Sequence, residues 1–258
     1  MSIRKRLIVA MAIVSAIFSV QTQANAGEDC TKQLPNGRAP TFSDSARRSG
    51  LHVICYEEYT VAFSEKTRTP LWSAEHLTRA RIQAAKNITR NNTFHEETSL
   101  TSEVRSHLKD FVRSGYDRGH LSPNSDFSNS SSQNESFSLA NMIPQNPNNN
   151  RHLWEGIESG TRNYAISNGS VYVITGPLFV GKNIRFLNDR VAVPTQIFKL
   201  LYDSKSNAGG VYLVDNVDTT LINWLSIADF ERQSGMSFGI GAPPLMAMPK
   251  PHQYAMRN

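Results

Sequence analysis

The sequence predicts a mixed α+β domain with a central antiparallel sheet, and a functional site where a strand or loop faces a helix. Three observations carry that expectation. Runs of β-branched and aromatic residues recur at 59–63, 71–74, 171–174, 197–202 and 211–214, as short strands do. Apolar residues spaced along one helix face follow position 149 and recur within 220–231. There is no internal repeat and no obvious linker between domains.

The first 26 residues stand apart. Arg4, Lys5 and Arg6 precede a 14-residue, almost wholly apolar run, and Ala24-Asn25-Ala26 supplies a small-x-small cleavage pattern. The run is too short for the roughly 20 residues of a membrane span, so 1–26 reads as a signal peptide and the mature form as free of the membrane. Export to the periplasm or the medium follows. Removing 26 of the 258 residues leaves 232, enough for an ample core. The leader takes three basic residues with it, leaving 24 basic against 22 acidic, a net of +2. So weak a total permits nucleic-acid binding without arguing for it; a local basic groove is needed.

Residues 27–57 read as an arm tied down by a Cys30–Cys55 disulfide. In an oxidising compartment the pair closes a loop of 26 residues, which contributes on the order of 3 kcal/mol. Two cysteines without a histidine at ligand spacing make a poor zinc site. Tyr59–Phe63 and Leu71–Ala74 read as a strand pair around the polar break at 65–70. Residues 79–113 carry seven Arg and Lys residues with little apolar periodicity, which reads as a solvated, partly helical surface or a phosphate-facing rim. Ser128–Ser136 reads as an exposed polar loop. Asn149 or Asn150 is placed to cap a helix carrying Leu153, Trp154, Ile157 and Tyr164. Val171–Ile174 reads as a strand ended by Gly176-Pro177, and Ser206–Gly210 as a turn between two more. A helix is expected within 220–231, and 241–258 is expected to be a Pro-rich extended or mobile tail.

The chemistry concentrates at Asp117-Arg118-Gly119-His120. A lone histidine is more often structural, but His120 has a cation and a carboxylate beside it and an ordinary pKa suited to proton transfer near neutrality. The chain lacks the acidic cluster of a two-metal site. It has neutral oxygen donors in Asn141 and Asn148–Asn150, and a hydrated Mg²⁺ needs only one or two protein oxygens. Asn150, Trp154 and Glu158 stand at i, i+4 and i+8, on one broad side of a helix. The cluster reads as the centre of a phosphodiesterase site.

Asp117–His120, Asn141-Met-Ile-Pro-Gln145, and Asn150 followed by Trp154 and Glu158 together resemble the DNA/RNA non-specific endonucleases. This is the ββα-metal group that includes secreted bacterial sugar-nonspecific nucleases and mitochondrial endonuclease G. The likeness takes in Thr67–Trp72, Thr175–Phe179, Asp229–Glu231 and Ser234-Gly235, and spans roughly 58–240. It implies a ββα-metal nuclease domain over 58–240, with His120 as general base and Asn150 as ligand of a hydrated Mg²⁺ (Mn²⁺ as the alternative), supported by Asn141 and Glu158. Arg118 would stabilise phosphate charge. For the upstream arginine of the family, Arg90 is the best match, since Phe94, Glu96 and Glu97 follow it. Asn149 and Arg151 depart from the apolar residue and glutamine that usually flank the metal asparagine, so Asn149 stands as the alternative ligand. The implied activity is Mg²⁺-dependent cutting of DNA and RNA, held mainly through their phosphates, to 5′-phosphate ends. A non-cleaving nucleic-acid-binding module and a phosphodiesterase for small esters are the rival readings. A homodimer and an inhibitor protein are compatible partners.

Overall fold

The computed structural model describes residues 29–251; the expected signal peptide and the last seven residues of the tail lie outside them. Near the start come β1 (Thr41–Phe42), α1 (Ser45–Arg48) and β2 (Leu51–Cys55). Cys30 and Cys55 are joined by a disulfide, their Cα atoms 5.3 Å apart. β3 (Thr60–Ser64) and β4 (Thr69–Thr78) form the expected hairpin, closed by a turn in which Arg68 has a positive φ of 50°. Ser64 Oγ accepts from Thr67 N, and the Arg68 guanidinium donates to Glu103 O.

β7 (Ser170–Leu178), β10 (Gln196–Asp203), β11 (Ala208–Asp215) and β12 (Asn223–Leu225) complete a seven-stranded sheet in the order β12-β11-β10-β7-β4-β3-β2, every neighbour antiparallel. Both faces are buried, and the strands alternate accordingly. Phe198, Leu200, Val211 and Leu213 point to one face, with Ile227 and Phe230 of α5 (Ile227–Ser234). Ile197, Leu201, Tyr212 and Val214 point to the other, with Trp154, Ile157 and Ala165 near and along α4 (Glu155–Asn168). α5 therefore lies on one face and α4, with Ile82 beside it, on the other, and α4 borders the site.

Two short ribbons lie outside this sheet besides β1, which pairs with β13 (Met236–Ser237). β5 (Asp117–His120) pairs with β6 (Met142–Gln145), and β8 (Phe186–Leu187) with β9 (Val191–Ala192). α2 (Arg79–Ala85) and α3 (Ser130–Ser136) complete the set.

The structure corrects four local expectations. Ser128–Ser136 is not an exposed loop: Asn129 caps α3 by accepting from Ser132 N, and Ser132, Gln133 and Ser136 are buried. Its contacts are hydroxyl bonds, such as Ser132 Oγ to Glu58 Oε2 at 2.7 Å, so no apolar period marks it. Within 220–231 the helix begins only at Ile227, capped by Ser226. Trp224 and Leu225 belong instead to edge strand β12, and Leu221 is 77% exposed. The strand beginning at Ser170 runs through Gly176-Pro177, because β4 pairs no further than Thr175 and leaves Pro177 no ladder bond to break. In the charged 79–113 stretch Arg81 is buried, donating to Asp126 O, Glu58 O and Glu75 Oε2. The described tail is extended and seated, with Met246 and Met248 buried and the Tyr212 hydroxyl bonded to Pro249 O.

Candidate active site

Register places the cluster. Across the β5–β6 ribbon Arg118 faces Pro144, Gly119 faces Ile143 and His120 faces Met142. Alternation sends Arg118 and His120 to one side and Gly119 to the other. Behind Gly119 lies the fully buried Gln145 side chain, which occupies the space a Cβ at 119 would need.

The helix that follows is set by its own start. Pro147 opens the helical run, and Asn146 Oδ1 accepts from the backbone N–H of Asn148 and Asn149. Proline at the first position and asparagine before it are what a helix start favours, so neither Asn149 nor Asn150 is the cap. A π-helical turn over Asn149–Trp154 then leads into α4. Its wider turn brings Asn150 and Glu155, five residues apart, to the same cavity wall.

The two candidate asparagines differ in what they hold. Asn149 is buried; its Oδ1 accepts from Gln145 Nε2 at 2.9 Å and its Nδ2 donates to Asp215 O at 3.1 Å. Asn150 donates Nδ2 to Asp117 Oδ2 at 3.0 Å, and its Oδ1 accepts no hydrogen bond among the described residues. Arg151 grips the same carboxylate, Nε to Oδ2 at 2.8 Å and Nη2 to Oδ1 at 2.7 Å. Asp117 thus orients the Asn150 amide with its oxygen left open.

These elements enclose a cavity of 530 Å³ that brings together His120, Arg118, Arg90, Asn150 and Glu158. Arg90 is steadied by Asn124 Oδ1 at 2.9 Å and Asn92 Oδ1 at 2.8 Å. The Arg118 guanidinium lies 4.0 Å from the centre of the Phe94 ring. Neither arginine has an ion-pair partner among the described residues, so both leave positive potential in the cavity. Asn141 is not brought to it. That residue is buried, accepts from Ser122 N and donates to Ser122 O and Ser136 O. Every polar atom of its side chain is engaged with Ser122 or Ser136, which leaves it no free oxygen to offer a metal and only a supporting place behind His120.

Burial, with Arg90 and Arg118 beside it, pushes His120 down to about 3. It is therefore a neutral imidazole near pH 7. Its Nε2 is buried without a partner among the described residues, against Phe94 and Phe137, which leaves Nδ1 as the nitrogen available to a water in the cavity. Burial raises Glu158 to about 7, against the pull of Lys199 and Arg162, with Asp126 and Glu155 adding to the rise. Glu155 Oε2 is buried and unpartnered, while Arg162 stands 3.2 Å from Asp126 Oδ1 and 3.5 Å from Glu155 Oε1. Among the described residues no group of three or more His, Cys, Asp and Glu is placed to hold a metal. Arg151, Asn124, Glu155 and Tyr116 also line the cavity. Sequence reasoning missed them as site residues; only Arg151 carried a signal, as a departure beside Asn150.

A ribbon carrying a neutral histidine and an unpaired arginine, facing a helix start with an open amide oxygen, defines a ββα-metal nuclease. The comparisons with known proteins agree. The family model for DNA/RNA non-specific endonucleases matches residues 38–244. A nuclease of Syncephalastrum racemosum is 33% identical over 80% of this chain and 70% of its own length. Human mitochondrial endonuclease G is 33% identical over 56% of this chain and 52% of its own length. A crystal structure of an EndoG/EndoGI complex superposes with a TM-score of 0.63 at 27% identity, over 72% of this chain and 84% of that one. The chain belongs to the DNA/RNA non-specific endonuclease family, hydrolases of phosphodiester bonds. Among the described residues no helix is long and apolar enough to cross a membrane.

Proposed function

We propose that the chain is an exported, Mg²⁺-dependent endonuclease that hydrolyses DNA and RNA with little sequence preference, leaving 5′-phosphate ends. The observation that carries this reading is one cavity holding a neutral His120, two arginines without acidic partners and the open Asn150 oxygen. A phosphodiester anion seated between Arg90 and Arg118 places its phosphorus beside His120. His120 Nδ1 accepts a proton from the attacking water, which approaches opposite the departing 3′ oxygen. Arg118 and Arg90 stabilise charge that develops on the phosphate oxygens. Asn141 acts at one remove, by fixing Leu121 and Ser122 behind the base.

The donor set fits a hydrated Mg²⁺, with Mn²⁺ as the alternative: one neutral amide oxygen, with the carboxyls of Glu155 and Glu158 lining the same cavity. Asn150 would hold it, and the ion would neutralise phosphate oxygens when bound. The leader at 1–26 and the Cys30–Cys55 disulfide support export. An inhibitor protein suits an enzyme harmful to its own cell, and a second copy of the chain is compatible as a partner.

One gel tests the reading: purified protein with plasmid and with RNA, in magnesium or in chelator, followed by end analysis. Digestion of both substrates only with magnesium, to 5′-phosphate ends, is expected. Binding without products would make it a non-cleaving module, and cleavage of small diesters alone a narrower phosphodiesterase. His120→Ala should lose about 10²–10⁴-fold in kcat; digestion at the wild-type rate would remove His120 from the reaction.

A further inference from the structure

Besides the catalytic groups, the cavity is lined by apolar and aromatic side chains that the proposed chemistry does not use. Leu108, Phe111, Val112 and Tyr116 line it. Phe111 is buried, but Leu108 is 36% and Val112 66% exposed, large side chains kept at the mouth rather than in the core. Basic residues frame this lip. The Arg185 guanidinium lies 5.2 Å from the centre of the Tyr116 ring. Lys109 and Arg113 flank the exposed pair in sequence and are themselves exposed. None of these three cations forms an ion pair among the described residues. The β8 end is pinned beside the lip, since Asn188 Nδ2 donates to Lys109 O at 3.3 Å.

A phosphate held by Arg90 and Arg118 does not fill a cavity of 530 Å³. The apolar lining suits the group a polynucleotide carries next to each phosphate. Unpaired cations beside exposed apolar and aromatic side chains match the way single strands are held, phosphates on cations and base faces on apolar surface. A base inside a duplex has both faces stacked and cannot present one to such a lip.

We infer that Leu108, Val112 and Tyr116 form a subsite for an unpaired nucleobase flanking the scissile phosphate, with Arg185, Arg113 and Lys109 taking the neighbouring phosphates. The subsite rests on the nuclease reading above and deepens it. It makes single-stranded nucleic acid the preferred substrate class.

The test uses single-stranded DNA with one cleavable phosphodiester among phosphorothioate linkages. The nucleotide on its 5′ side, its 3′ side, or both, is made abasic. Wild-type protein in magnesium should lose about 5- to 50-fold in kcat/KM when the base is removed from one of the two sides. The double variant Leu108→Ser/Val112→Ser alters two exposed side chains, so its melting temperature should match the wild type. With Tyr116 retained, it should lose at least about 3-fold less than the wild type from the same base removal, and should equal the wild type on the doubly abasic strand. A wild type indifferent to base removal on either side overturns the subsite while leaving the nuclease reading intact. So does a variant that keeps the full dependence on the base. A wild type that cleaves none of the strands, nor plasmid nor RNA, overturns the nuclease reading itself.

Discussion

Gly119→Ala probes the contact that holds Arg118 and His120 in register. A Cβ at 119 would stand 2.6 Å from Gln145 Cβ and 3.0 Å from its Cδ. Gln145 is fully buried and donates to Asn149 Oδ1, so its side chain has no solvent to retreat into. Alanine must displace it or part the ribbon. Overpacking of this kind costs about 1–3 kcal/mol, and leaving the buried amides of Gln145 and Asn149 unpaired about 1–3 more. Equilibrium urea unfolding should therefore show Gly119→Ala destabilised by roughly 2–6 kcal/mol, with nuclease activity falling as the two side chains shift. Gln145→Gly removes all three clashing atoms, Oε1 included, and in that background Gly119→Ala should cost less than about 1 kcal/mol. A single variant within about 0.5 kcal/mol of wild type, or an equal cost in both backgrounds, would refute the packing argument.

Arg151→Ala addresses the grip on Asp117 and, through it, the Asn150 amide. The Arg151 side chain is 63% exposed, so the melting temperature should stay close to that of the wild type, while magnesium affinity measured by calorimetry should weaken several-fold; unchanged affinity would end that role. Glu158 should make the magnesium-free protein lose stability as pH rises. Its folded pKa of about 7 lies above the ordinary 4.5, so its contribution is complete below 4.5 and is lost through 7, at most about 3 kcal/mol. Glu158→Gln should flatten thermal-melt profiles across pH 5–8, and a variant that keeps the wild-type slope would contradict this. His120 acts with the opposite sign, its depressed pKa withdrawing stability as pH falls from 6.5 towards 3.

Much of the sheet was legible because both faces are buried and the strands are correspondingly rich in Val, Ile, Leu and aromatics. Val171–Ile174, Ile197–Tyr202 and Val211–Val214 all fall within the central ladder. α3 was hidden because hydroxyls and an amide, not an apolar stripe, seat it. β12 was misread because Leu221, Trp224 and Leu225 have helical spacing by coincidence: one is exposed, one edges the sheet and one packs inward. The cluster at 117–120, in its order with Asn150 and Glu158, pointed to side chains that the fold does bring to one cavity. Spacing could not separate Asn149 from Asn150, since a one-residue shift leaves the pattern intact. Only the bonds to Gln145 and Asp215 show which amide is already engaged. The π turn that adds Glu155 to the wall has no sequence mark, and Arg90 reaches the cavity from a segment without regular structure.

The environment of His120 poses a problem that substrate can solve. A pKa near 3 keeps the imidazole neutral but makes it a feeble base. Desolvation is the first cause, and the charges of Arg90 and Arg118 add to it. A phosphodiester anion seated between those arginines cancels their field at the ring, and an opposite charge nearby favours the protonated form. On the proposed mechanism His120 must then be a stronger base in the substrate complex than in the free enzyme. Since kcat/KM reports the free enzyme and kcat the complex, the acid limb of kcat should lie at higher pH than that of kcat/KM, in saturating magnesium. Arg90→Gln should narrow the gap, because less field is left for substrate to cancel. Coincident limbs, or a kcat limb at lower pH, would mean that the two arginines do not set the basicity of His120.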